Sequence, residues 1–187
     1  MPDENGDKTV SGGVITGGKT DIDLYGNPTV DGGVLIEERG TLNVTNGTVN
    51  APVRICSRGT IAGSGTFNST VINEDKLTGG TFYGPVVNCM GGELVKGEIS
   101  GGIFYGTVAN GLNYNDSSYG ESASPKGKGL ISGGTFYGMV TNAFYGEITG
   151  GSFYGEVDNR ERTDFQLSYQ GTLAGGTFYA GHPGTVA

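Results

Sequence analysis

The chain has 187 residues, 38 of them Gly, and a formal net charge of −8. Gly in a helix interior costs about 1 kcal/mol relative to Ala, which excludes an all-α or Rossmann-like chain; with only six Pro and no G-X-Y period, a proline-driven coil and collagen are excluded as well. Eleven basic residues against nineteen acidic ones disfavour direct nucleic-acid binding, while ten Tyr and eight Phe argue against plain disorder.

Read from the start, Met1-Pro-Asp-Glu-Asn-Gly-Asp-Lys8 is polar and acidic and does not resemble a signal peptide. Residues 1–20 read as an N-terminal Gly-rich segment or cap, and 21–187 as one solenoid. No apolar run approaches the ~18 residues of a spanning helix, so no membrane insertion is expected. Gly40-Thr-Leu42 returns as Gly59-Thr-Ile61, and Gly65-Thr-Phe67 leads to Val71-Ile-Asn73.

Then a block repeats strongly. Leu77-Thr-Gly-Gly-Thr-Phe-Tyr-Gly-Pro-Val-Val-Asn88 returns from Ile99 to Asn110, from Ile131 to Asn142 and from Ile148 to Asn159, with a short copy at Leu173-Ala-Gly-Gly-Thr-Phe-Tyr-Ala180. The shortest interval between starting residues, 17 from Ile131 to Ile148, is read as the bare unit, and Phe144-Tyr-Gly-Glu-Ile148 as a half-repeat within it. Such periods with Gly punctuation leave no room for repeat helices and predict an all-β parallel β-helix, or β-solenoid. Eight or nine coils stacked about 4.8 Å apart make a rod of roughly 40 Å. Extra residues fall after the repeat Asn, giving insertion loops at 89–93, 111–129 and 160–168 on one edge.

The Ile/Leu-Ser/Thr-Gly-Gly-Thr-Phe-Tyr-Gly-x-Val-x-Asn units resemble right-handed parallel β-helix repeats of the pectin-lyase-like kind, and related Gly-Gly-Thr-Phe units occur in bacterial surface proteins. The resemblance covers roughly residues 30–187. It implies the coil and its handedness. It implies little about function, because that superfamily includes lyases, hydrolases, adhesins and phage tailspikes.

Strand alternation assigns the faces. Phe67, Phe82, Phe104, Phe136, Phe153 and Phe178 point inward as one stack, and Val86, Val108, Val140 and Val157 as another. Asn73, Asn88, Asn110, Asn142 and Asn159 are read as a structural ladder of turn residues whose amides bond along the stack. Tyr83, Tyr105, Tyr137, Tyr154 and Tyr179 fall outside, one above another, as a strip suited to a protein or glycan partner. Tyr114 and Tyr119 in the longest loop, with Arg160 and Arg162 in the last, are further partner-binding candidates.

Catalytic groups are not expected. His182, the single His, sits five residues from the end and is expected to provide neither a Ser-His-Asp triad nor a Cys/His zinc site. Cys56 and Cys89 read as buried thiols. The carboxylate pairs Asp21 and Asp23, Glu37 and Glu38, Glu74 and Asp75, and Glu147 with Glu156 come without a basic cluster and read as solvated. No cofactor or metal is expected.

The functional expectation is a non-enzymatic binding scaffold of the bacterial surface or adhesin kind. Two alternatives stand beside it. One is a small acidic intracellular inhibitor, of the phage-encoded kind, that blocks a host protein handling nucleic acid. The other is a polysaccharide-acting enzyme or tailspike fragment. Self-association through ends or edges is a further expectation. The compartment stays open between the cytoplasm and, had a leader been removed, the cell surface.

Overall fold

The computed structural model describes residues 8–11, 13–17, 19–22, 28–31, 33–36, 39–56, 58–88, 96–111, 128–143, 145–159, 162–164, 167–169 and 171–179. It is an all-β parallel solenoid. Among the described residues three sheets of parallel strands run along it, two of eight strands and one of seven, and each coil but the last contributes one strand to each sheet in turn.

The first sheet contains Lys8–Ser11, Thr41–Thr45, Thr60–Gly63, Lys76–Leu77, Lys96–Ile99, Lys128–Ile131, Gly146–Ile148 and Thr172–Leu173. In the second stand Val14–Ile15, Thr48–Val49, Thr66–Phe67, Thr81–Phe82, Ile103–Phe104, Thr135–Phe136, Ser152–Phe153 and Thr177–Phe178. The third runs Val34–Ile36, Val53–Ile55, Val71–Asn73, Val86–Asn88, Val108–Asn110, Val140–Asn142 and Val157–Asp158. Strands of the first two sheets thus begin at Lys8 and Val14, inside the segment 1–20 read as a cap.

Register puts like on like. Phe67, Phe82, Phe104, Phe136, Phe153 and Phe178 align. Their rings stack face to face, with centroids 4.6–4.9 Å apart. All but Phe178 are fully buried. Burying each such side chain contributes about 1.5–3 kcal/mol. The third sheet carries an unbroken valine column: Val34, Val53, Val71, Val86, Val108, Val140 and Val157. Leu42, Ile61, Leu77, Ile99, Ile131, Ile148 and Leu173 close the core from the first sheet.

The two Gly of each pair do different jobs. A side chain on Gly101 or Gly133 would collide with the carbonyl oxygen of Thr78 or Ser100 in the coil below. The second Gly has φ near 108° at Gly102 and 105° at Gly134, a region that disfavours every other residue.

Two expectations about the repeat change. The shortest coil is not 17 residues long but 15, the separation of Asn73 and Asn88. Phe144 lies outside the described residues, but the half-repeat around it is no half coil. Tyr145 sits at positive φ in the turn that leads into the first sheet, as Arg39 and Arg58 do in earlier coils.

After Asn88 the first sheet resumes at Lys96, and after Asn110 at Lys128, with Lys96 and Gly97 opposite Lys128 and Gly129. Lys128 and Gly129, expected within the loop 111–129, are therefore paired strand residues. The loop 89–93 and residues 112–127 of the long loop lie outside the described residues. At the loop expected over 160–168, Arg162–Asp164 pairs antiparallel with Leu167–Tyr169, one residue past its bound. A second antiparallel pair, Lys19–Ile22 with Pro28–Asp31, falls at another corner, between strands of the second and third sheets.

Candidate functional site

The outer face of the second sheet carries the tyrosine column. From Phe82 onward each inner Phe is followed by an outward Tyr whose backbone N–H donates to the inner residue's carbonyl one coil below, as Tyr105 does to Phe82 and Tyr137 to Phe104. This fixes every Tyr directly above the last. Ring centroids are 4.9 Å apart for Tyr83 and Tyr105, 5.0 Å for Tyr105 and Tyr137, 5.0 Å for Tyr137 and Tyr154, and 4.4 Å for Tyr154 and Tyr179. Interplanar angles lie between 4° and 17°. The five residues are nonetheless 43 to 61 % exposed.

Both facts matter for binding. The ring faces are largely spent on one another, so solvent meets ring edges and phenolic hydroxyls. On one side the column is flanked by Thr81, Ile103, Thr135, Ser152 and Thr177, two residues earlier and so about 7 Å away. On the other side Pro85, Thr107, Met139 and Glu156 are exposed. Ile103 and Met139 add apolar surface. At the phenol of Tyr154, hydrogen bonding to Tyr179, and then the charge that Tyr179 carries when ionised, raises the pKa above the ordinary tyrosine value.

The same outer column begins differently. Asn50 and Asn68 occupy it in the two coils before Tyr83, and the Asn68 amide donates to Asn50 Oδ1 at 2.9 Å.

The five repeat asparagines form a column of their own, but inside. The expectation of turn residues fails on orientation: Asn88 ends the strand Val86–Asn88 on the same inward face as Val86 and is fully buried. Asn73 Nδ2 donates to Asn88 Oδ1 at 2.6 Å, Asn88 to Asn110 at 2.7 Å, Asn110 to Asn142 at 2.8 Å and Asn142 to Asn159 at 2.7 Å. The other amide proton reaches the first sheet, as from Asn110 to the carbonyls of Gly129 and Glu147. Gly129, Gly146 and Gly171 have no side chain because the Asn amides fill that space. This buried column leaves no polar group turned outward for a ligand.

Among the described residues the candidate carboxylates do not converge. Asp23, Glu37 and Glu38 lie outside the described residues, and Asp21 stands in an antiparallel strand. Glu147 and Glu156 stand in different parts of the coil. Glu147 is in a first-sheet strand, where it meets Lys96 at 3.5 Å, and Glu156 is at the corner between the second and third sheets. Glu74 is buried rather than solvated. The Arg54 guanidinium donates to its Oε1 from Nη2 at 2.7 Å and from Nε at 3.2 Å. Burial nevertheless dominates and raises the Glu74 pKa, with the Arg54 hydrogen bond and charge pulling the other way. Among the described residues no three His, Cys, Asp or Glu side chains gather where they could hold a metal ion.

Tyr114, Tyr119, Arg160, His182 and Cys89 lie outside the described residues. Arg162 is placed by its backbone alone, opposite Tyr169. Cys56, read as buried, is half-buried.

By fold, then, the chain is a parallel β-solenoid with an aromatic column on one face and an amide column within. Comparison with protein-family models, with curated proteins and with solved structures finds no match.

Proposed function

We propose that the protein is a non-enzymatic binding scaffold, a rigid rod that offers its tyrosine column to a partner. One observation carries this reading: five tyrosines stand exposed in an unbroken stack on a sheet exterior. Contiguous exposed aromatic surface of this kind marks interfaces. Because the rings cover one another's faces, a partner meets edges and one hydroxyl per coil. That suits a protein surface with hydrogen-bonding groups and apolar side chains for Ile103 and Met139. A sugar chain, which favours an open ring face, is the second candidate.

Tyr114, Tyr119, Arg160 and Arg162 belong to chain segments between third-sheet and first-sheet strands, and in this proposal they add contacts from that edge. The likeness of the Gly-Gly-Thr-Phe units to bacterial surface modules supports the reading, as does that of the coil to right-handed pectin-lyase-like helices. The net charge of −8 favours a second reading, an acidic inhibitor of a protein that handles nucleic acid. Self-association through the rod's ends belongs to the same proposal.

The test compares the wild-type chain with Tyr105→Ser/Tyr137→Ser and with a Lys96→Ala control on the first sheet. Each is used for affinity capture from bacterial lysate and on a glycan array. A partner retained by wild type and control but lost with the double variant supports the scaffold. Retention that survives the double variant, or no retention on either platform, overturns it.

A further inference from the structure

We propose that the tyrosine column is an oxidative cross-linking site, in which Tyr154 and Tyr179 couple to an intramolecular dityrosine that ties the last coil to the one before it. Among the column's neighbours this pair has the shortest centroid distance, 4.4 Å, and the smallest interplanar angle, 4°. Parallel rings so close hold the ortho carbons beside the two phenol oxygens against each other. The two side chains leave adjacent coils at paired positions, which keeps the hydroxyl ends on the same side of the stack, and the raised pKa of Tyr154 reflects the nearness of Tyr179.

Tyr179 is also the most exposed of the five, at 61 %, and Tyr154 stands at 43 %. The new carbon–carbon bond requires the two rings to turn out of the stack and splay slightly, and exposed side chains meet little resistance. The rest of the column feeds the site. A one-electron vacancy created on Tyr83, Tyr105 or Tyr137 passes between stacked rings at 4.9–5.0 Å toward the end of the row.

The reaction balances as follows. Two phenols each give up one electron and one proton. The two phenoxyl radicals join through ortho carbons, and the two displaced ring hydrogens move to the oxygens and restore the phenols. Hydrogen peroxide, acting through a haem peroxidase, accepts the two electrons and two protons and leaves as two waters.

Among the described residues the last coil has a strand in the first and second sheets but none in the third. A covalent tie across it opposes fraying that backbone pairing alone resists less well.

The experiment treats dilute full-length protein with horseradish peroxidase and hydrogen peroxide. Expected are a monomer lighter by two hydrogen atoms, dityrosine fluorescence, and a proteolytic peptide pair joined at Tyr154 and Tyr179. Tyr179→Phe and Tyr154→Phe keep the stacked ring and the fold, and each abolishes that peptide pair; Tyr83→Phe leaves it. In urea, where residues 25 apart in sequence are no longer stacked, the pair loses its preference over other linkages. The proposal is overturned by linkage chiefly between molecules, by coupling chiefly at other tyrosines, by oxidation without coupling, or by a 154–179 yield that urea does not reduce.

Discussion

The coils up to Ile55 and those from Phe67 onward share one backbone path but fill it differently. At the inner corner after the third-sheet valine the early coils place Ile36 and Ile55, the later ones Asn73 to Asn159. In the second sheet the inner position holds Ile15 and Val49 before it becomes phenylalanine. On its outside Asn50 and Asn68 give way to tyrosine. The switches come at different coils, since Phe67 and Asn73 precede the first outer tyrosine by one coil. Each column is therefore a separate stacking system, and only the aliphatic ones, the valines of the third sheet and the Leu/Ile residues of the first, run through both regions. The coil requires that a residue match the one above and below, and it accepts apolar or amide chemistry at one site if the run is consistent.

The comparison breaks most sharply at the aromatic stack. Phe104→Ala opens a gap between two covered rings and is expected to cost about 3–5 kcal/mol. Val49→Ala, at the same position in the early coils, removes less volume and costs less. Urea midpoints of the two variants measure the difference, and equal losses would show that stacking adds nothing.

Next comes the corner. Asn110→Ala strips Asn88 of an acceptor and Asn142 of a donor. At about 1–3 kcal/mol for each buried group left without its partner, a loss of roughly 2–4 kcal/mol is expected. Ile55→Asn places an amide between Asn73, which can pair with it, and Ile36, which cannot, so its cost should be smaller. If Ile55→Asn proved the worse of the two, the ladder would not be extendable and the regions would differ in more than side chains.

At the boundary sits Glu74. Its carboxyl pKa is raised in the fold, so folding favours the protonated form. Its contribution is fully present below the ordinary carboxylate value and is lost as pH rises through the raised one. Glu74→Gln should remove this part of the slope in a series of denaturations run upward from pH 4. An unchanged slope would assign the pH dependence to other groups.

The smallest effect concerns one proton. Tyr154 should titrate above the ordinary tyrosine range, followed by carbon NMR at its ring, and Tyr179→Phe should bring it back down. No shift on substitution would deny that Tyr179 is what raises it.

Much of this was legible in the sequence where the markers are dense. Gly-Gly-x-Phe-Tyr sets both faces of the second sheet, because two-residue alternation leaves one assignment for Phe and Tyr. The asparagines were misplaced because turn preference was weighed above alternation. In Val86-Val87-Asn88 the residue two after an inward Val is itself inward, and that signal was present. The early valines Val34, Val53 and Val71 were missed because no Phe-Tyr marker accompanies Val34 and Val53. The antiparallel pair near residue 20 had its signal in Gly26-Asn27-Pro28, a turn cluster between the β-branched residues Thr20, Ile22 and Val30. The carboxylate of Glu74 was out of reach, since its burial depends on Arg54 one coil away.

The passage from the third sheet back to the first has a practical meaning. The first-sheet register resumes at Lys96 and again at Lys128, on identical residues, although the intervening stretches differ in length. The corner therefore works as a socket: what is plugged in there need satisfy only the two ends. A foreign peptide spliced between Asn110 and Lys128 would be displayed at a known height on the rod, with its coil number as its address.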